Sequence, residues 1–311
     1  MNIVFFGTPE FSADFLRALL ADADMHIVGV VTQPDEPLGR KKVLTPPPTK
    51  TVALEHHIPV FQPTKLKDPA FGESLAALKA DVFLVIAYGR IIPQSILDIP
   101  PKGCVNVHPS LLPKLRGPSP IISAIVTGQK ETGITIMKLD ADMDHGPIFA
   151  QTAFPLAADE TTASLTQKVV GYGVPLLIET LKGYVKGRIK PVEQNHADAT
   201  FCTLLTREDG RISWKALAEV IDAQIRAYNP WPGTWTVWRR NGEDVMLKIH
   251  AAHMGSECLS AGVVHIQPRR IMIGTGTTVL IIDELQPASG NRMSAEAFIQ
   301  GYRDIDNATL R

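Results

Sequence analysis

The stretch Asn2-Ile3-Val4-Phe5-Phe6-Gly7-Thr8-Pro9-Glu10-Phe11 decides how the first half of the chain folds. Its apolar run of β-branched and aromatic residues reads as a buried strand, Gly7-Thr8-Pro9-Glu10 as a tight turn, and residues 11–21 as the helix that the turn opens. A second apolar run at 27–32 follows, and strand, helix and strand in this order predict a largely parallel sheet. The turn has the place of a nucleotide-binding loop but lacks the G-x-G-x-x-G glycines. Without them a backbone does not closely approach a pyrophosphate, so no dinucleotide cofactor is expected and the plain reading is a strand-to-helix turn.

Working outward, further strands are expected at 82–87, 104–108, 133–139 and 148–154, with helices near 70–79, 120–127 and 164–185. The last carries Leu165, Val169, Val170, Val174, Leu177 and Leu181 at helical spacing and is expected to close a first domain. From 187 to 210 the chain turns polar and irregular, which predicts a linker. Beyond it come an amphipathic helix at 214–227 and short strands at 234–239, 245–250, 262–266, 270–273 and 278–282, with Asn241-Gly242 as a hairpin turn. The fold expected is therefore α/β: a Rossmann-like, mostly parallel sheet over residues 1–189, a linker at 190–206, and a small OB-like β-barrel over 207–311. A chain of 311 residues accommodates both, since single cores stop growing at about 250–300 residues.

Composition narrows the class. A formal net charge of −1 excludes a generally basic nucleic-acid coat and leaves only local patches to engage phosphates. The three cysteines, Cys104, Cys202 and Cys258, are odd in number, far apart and without a C-x-x-C pair, so neither a disulfide framework nor a zinc cluster is implied. A reducing cytoplasm is expected. The first residues carry no basic leader, and no apolar run approaches the roughly 18–20 residues of a membrane span.

The chemistry concentrates in Asn106-Val107-His108-Pro109-Ser110-Leu111-Leu112-Pro113, followed by Arg116-Gly117 and answered by Asp140-Ala141-Asp142-Met143-Asp144. Asn106 and His108, two apart on a strand, project from one face and can reach one reacting carbonyl. An amide donor and an imidazole beside a carboxylate suit acyl or formyl transfer, where charge develops on oxygen and an amine must lose a proton. Alone, an Asn-x-His on a strand is more often structural. Pro109, Pro113, Pro118 and Pro120 stiffen the loop that follows, and a rigid loop at a strand's carboxyl end is where α/β folds place their sites.

These motifs together resemble the methionyl-tRNA formyltransferase family over nearly the whole chain. The resemblance runs through Val4 to Phe11, Val31-Thr32-Gln33-Pro34-Asp35, Tyr88-Gly89-Arg90-Ile91-Ile92-Pro93, Asn106 to Gly117, Glu131-Thr132-Gly133-Ile134-Thr135-Ile136-Met137, Ile225-Arg226-Ala227-Tyr228-Asn229-Pro230-Trp231-Pro232-Gly233, Leu285-Gln286-Pro287 and Met293-Ser294-Ala295. Two departures stand out: Pro118-Ser119-Pro120 where the family has small residues, and a shorter segment after Gln33-Pro34-Asp35.

The resemblance implies transfer of a formyl group from 10-formyltetrahydrofolate, as co-substrate, to the α-amine of initiator methionyl-tRNA, through a tetrahedral intermediate. It assigns the oxyanion to Asn106 and His108, with Asp144 orienting His108 and favouring its imidazolium. It places folate against Ser110, Leu111, Leu112 and Pro113, with the pterin edge read by backbone groups around Ile86, Tyr88 and Arg90 and by the loop from Met137 through Asp140 to Asp144. Arg40, Lys41 and Lys42 form the clearest basic patch, and the resemblance turns them toward tRNA phosphates; their plain alternative is a solvated loop. No metal, no membrane and a monomer are expected. The nearest rival is a folate-dependent formyltransferase acting on a nucleotide-linked amino sugar, whose members share the same motifs. A silent RNA-binding module stands as a different class.

Overall fold

The computed structural model describes residues 1–39, 41–288 and 290–311. The chain divides into two compact units. The first comprises Met1–Pro120, Glu131–Pro155 and Thr166–Thr203, and the second Ile121–Lys130, Leu156–Leu165 and Leu204–Arg311.

In chain order the elements begin with β1 (Asn2–Gly7), α1 (Glu10–Leu20), β2 (His26–Val31), β3 (Glu36–Leu38), β4 (Val43–Thr45), α2 (Pro48–Glu55), β5 (Val60–Phe61) and α3 (Pro69–Ala77). There follow β6 (Val82–Ile86), α4 (Gln94–Leu97), β7 (Cys104–His108), α5 (Pro120–Val126), β8 (Glu131–Lys138), β9 (Ile148–Pro155) and α6 (Thr162–Val185). The first unit is built on a sheet of order β5-β2-β1-β6-β7-β8-β9, parallel from β5 to β7 and antiparallel where β8 meets β7 and β9 meets β8. The expected mostly parallel α/β sheet is what is found.

Burial explains the opening stretch. Ile3, Val4, Phe5 and Phe6 are fully buried, with Phe6 against Phe83 and edge-on to Tyr88. Gly7 is required by space: a Cβ there would sit 2.7 Å from Ser12 Cβ and 2.9 Å from the Ile86 carbonyl oxygen. Strand order reverses between β1 and β6, since the chain runs from β1 outward to β2 and β5 and then returns to β6 and β7. The carboxyl ends of β1, β6 and β7 therefore flank a switch point, where open α/β sheets hold their ligands.

The second unit carries α7 (Ala218–Tyr228), β10 (Thr234–Arg240), β11 (Glu243–Gly255), β12 (Val264–Gln267), β13 (Arg270–Gly274), β14 (Val279–Pro287), β15 (Met293–Ser294) and α8 (Ala295–Gly301). The strands form an antiparallel sheet of order β10-β11-β14-β13-β12, in keeping with the OB-like expectation. Asn241 and Gly242, both at positive φ, make the hairpin turn. Trp238, Ile225, Leu247, Leu280 and Phe298 share its core. Trp235 is buried too, whereas Trp231 is exposed.

Several boundaries differ from the sequence reading for local reasons. The helix begins at Ala218 rather than 214, because Gly276 N–H takes the Ala216 carbonyl and Trp214 turns inward to donate to Thr236 Oγ1 at 2.9 Å. The strand β11 is twice the expected length because irregularities near Ala251 let it bend and stay paired with β14. No helix among the described residues is long and apolar enough to cross a membrane.

Candidate active site

The site grows from the end of β7. Asn106 and His108 pair with Met137 and Thr135 of β8 and share one face of the sheet. Asp144 comes from the turn between β8 and β9 and holds a left-handed φ of 51°. Its Oδ1 lies 3.6 Å from His108 Nδ1, a charge contact rather than a hydrogen bond, with both side chains largely buried. Its Oδ2 accepts a 2.7 Å hydrogen bond from Gly117 N–H. His108 Nε2 is 2.9 Å from the Leu115 carbonyl, which can only accept, so this nitrogen carries a proton. Asn106 is 8% exposed, and its amide has no hydrogen-bond partner among the described residues.

The loop after β7 is tied down by one hydroxyl. Thr135 Oγ1 donates to the Ser110 carbonyl (2.6 Å) and accepts from Leu112 N–H (3.2 Å) and Gln151 Nε2 (2.8 Å), which uses its full capacity. Gln151 also donates to the Leu112 carbonyl at 2.8 Å, across a cis Leu112–Pro113 peptide. Ser110 Oγ donates to the Lys114 carbonyl at 2.6 Å, so its hydroxyl shapes the loop.

The expected folate residues divide by accessibility. The side chains of Ile86, Met137, Ser110, Tyr88 and Leu112 are buried. Leu111, Pro113, Arg90 and Asp140 are partly open. The Ile86 carbonyl accepts from Ser12 Oγ, and the Tyr88 carbonyl from Thr8 Oγ1 and Gln33 Nε2, so those carbonyls already hold the crevice in shape. The Tyr88 hydroxyl is buried without a partner among the described residues, and burial pushes its phenol pKa up. Arg90 pulls the other way by charge, but its guanidinium donates to the Pro63 and Thr64 carbonyls.

Of the basic patch, Arg40 lies outside the described residues. Lys41 and Lys42 are exposed at the turn of a β3–β4 hairpin that the sequence reading left as loop, with Leu38, Val43 and Leu44 exposed beside them. A clasp holds the chain that flanks the hairpin: Lys50 Nζ meets Asp35 and Gln62 at 2.8 Å, and holds the Asp35 carboxyl below the usual carboxylate range. Arg239 and Arg240 are ion-paired to Asp244 and Asp304.

The structure gathers four further side chains around Asp144. Arg116, 4% exposed, donates through Nε (3.2 Å) and Nη2 (2.6 Å) to Gln194 Oε1, and Nη2 reaches His196 Nδ1 at 2.8 Å. His145 donates from Nδ1 to Asp140 at 2.7 Å and stacks on His196 at 4.0 Å. The Arg-Gly pair was noticed as a motif, but Gln194 and His196 stand in a polar stretch with no motif at all. Among the described residues no group of three or more His, Cys, Asp and Glu is placed to hold a metal ion.

Known proteins match this architecture. Residues 1–181 match the family described as formyl transferase, and residues 204–303 match formyl transferase, C-terminal domain. The fold is thus that of a formyl transferase. Methionyl-tRNA formyltransferase of Chloroflexus aurantiacus is 43% identical over 310 residues, covering 100% of this chain and 99% of that protein. The same enzyme of Roseiflexus castenholzii is 45% identical over 306 residues, covering 97% and 96%. The chain belongs to the methionyl-tRNA formyltransferase family. Among solved structures, an N-formyltransferase from Helicobacter canadensis in complex with folinic acid and dTDP-3-aminofucose shares the fold at TM-score 0.66 and 18% identity, covering 94% of this chain and 99% of that one. HypX from Aquifex aeolicus in complex with tetrahydrofolic acid does so at TM-score 0.64 and 17% identity, covering 96% and 46%.

Proposed function

We propose that this chain transfers the formyl group of 10-formyltetrahydrofolate to the α-amine of the methionyl moiety of initiator methionyl-tRNA. Whole-chain identity to enzymes of that name supports the acceptor. The observation that carries the chemistry is the Asn106 amide, on the same sheet face as His108, which faces Asp144, and without a hydrogen-bond partner among the described residues. That amide reaches solvent, so it is open to a group that arrives with the substrate.

The residues then have separable tasks. Attack of an amine on a formyl carbon drives negative charge onto oxygen, and Asn106 Nδ2 donates to it. His108 offers its Nε2 proton, which the Leu115 carbonyl holds in the structure described here and which a charged oxygen outcompetes. Asp144, fixed by the Gly117 N–H, faces Nδ1 and takes the proton that the attacking ammonium must lose, directly or through water, and this proton passes to the folate nitrogen as its bond to the formyl carbon breaks and the oxyanion re-forms the carbonyl. The folate supplies the formyl group. Leu111 and Pro113 offer it an apolar wall, and Arg90 and Asp140 polar edges. Lys41 and Lys42, with Arg40, meet tRNA phosphates, and residues 207–311 form the tRNA-binding domain.

A nucleotide-linked amino sugar is the second acceptor to weigh, because solved structures acting on such compounds share the fold. Incubating the purified protein with 10-formyltetrahydrofolate and either methionyl initiator tRNA or a nucleotide-linked 4-amino sugar decides between them. Formylated tRNA is expected; formylated sugar alone would overturn the proposal.

A further inference from the structure

Gln194 lies between the two family-matched segments, in the stretch where the sequence shows no periodicity. It is 6% exposed, and its amide is saturated. The oxygen accepts two N–H groups from Arg116, and the nitrogen donates to the carbonyl oxygens of Asp144 (2.9 Å) and Gly146 (2.7 Å). These carbonyls lie on either side of His145, in a turn the backbone does not favour. Asp144 is left-handed at φ 51°, and a Cβ on Gly146 would fall 2.0 Å from the Lys138 carbonyl oxygen. Such a turn persists only when its surroundings over-determine it.

The grip closes on itself. Arg116 reaches the Asp144 backbone through Gln194, while the next residue, Gly117, donates its N–H to the Asp144 carboxylate. Among the described residues the buried Arg116 guanidinium has no carboxylate at ion-pair distance; Gln194 and His196 take its N–H groups. An arginine buried without a carboxylate is expensive to keep. Its geometry serves here to fix one amide oxygen.

We propose that Gln194 is a positioning residue for formyl transfer, acting through Asp144 by holding its turn so that the carboxylate faces His108 Nδ1. The inference rests on Asp144 being catalytic. Gln194→Leu removes all four hydrogen bonds at nearly constant volume; Gln194→Glu keeps the acceptor for Arg116 and gives up both donors. Misplacing a reacting group by an ångström costs up to about 100-fold, so both variants should lose roughly 10- to 100-fold in kcat, with KM for folate and tRNA changed less than about threefold.

The test is a cycle with Asp144→Asn. If Gln194 acts through Asp144, Gln194→Glu combined with Asp144→Asn turns over no more slowly than Asp144→Asn alone. Wild-type kcat in a folded Gln194→Glu variant, or losses that multiply in the double variant, would overturn the inference. Should Gln194→Leu fail to fold, Gln194→Glu alone decides. Wild-type turnover by Asp144→Asn itself would instead overturn the role of Asp144, a result legible apart from anything done at Gln194.

Discussion

Residues 106–117 and residues 192–203 build the same site from opposite kinds of sequence. The first segment is a strand with period-two projection, then a proline-stiffened loop, and its chemistry can be read from residue types and spacing. The second is polar and aperiodic, yet it supplies Gln194 to the Asp144 turn, Thr200 Oγ1 to Leu115 N–H at 2.9 Å, and Cys202 N–H to the Arg116 carbonyl at 2.8 Å. Local pattern places the groups proposed to react; long-range hydrogen bonds hold the turn and loop that carry them. A linker drawn from composition alone misses that second task.

The comparison can be broken from the first segment. His108→Ala should lower kcat by about 10²- to 10³-fold, measured as formylated tRNA under saturating substrates, because the imidazole donates to the oxygen on which charge develops. A smaller loss than any variant of residues 192–203 gives would invert the assignment of roles.

The joint between the segments should be next in effect. Gly117 has φ 121°, and a Cβ there would lie 2.3 Å from the Cys202 carbonyl oxygen. Gly117→Ala should therefore destabilise by roughly 1–3 kcal/mol or more and pull its N–H away from Asp144, lowering Tm and kcat together. An unchanged Tm would show that the two segments are not in fixed contact.

Thr200→Val leaves Leu115 N–H without its acceptor and should cost about 1 kcal/mol, a Tm fall of a few degrees by calorimetry. Replacing Lys41 and Lys42 by alanine should spare kcat at saturating tRNA while lowering the slope of log affinity against log salt by roughly one per lost phosphate contact. An unchanged slope would leave those lysines as solvated residues of the β3–β4 hairpin.

How much the sequence discloses follows the same division. The strand β7, the turn at Gly7, the hairpin at Asn241-Gly242 and the pairing of His108 with Asp144 are legible because each rests on a local period, a turn residue or a motif. The start of α7, the bend in β11 and the saturation of Thr135 are not. Each depends on a partner the chain brings from elsewhere: Gly276 for Ala216, β14 for β11, and Gln151 for Thr135. Ser110 shows the cost of reading a motif by type alone, since its hydroxyl serves the Lys114 carbonyl inside the loop.

The central claim, that the unpartnered Asn106 amide is held open for the oxygen of the formyl group, is tested most directly by single-turnover transfer from 10-formyltetrahydrofolate to methionyl initiator tRNA with Asn106→Ala. The account predicts a rate about 10² to 10³ below wild type with the folded state and folate affinity kept; a rate equal to wild type in the folded variant would contradict it.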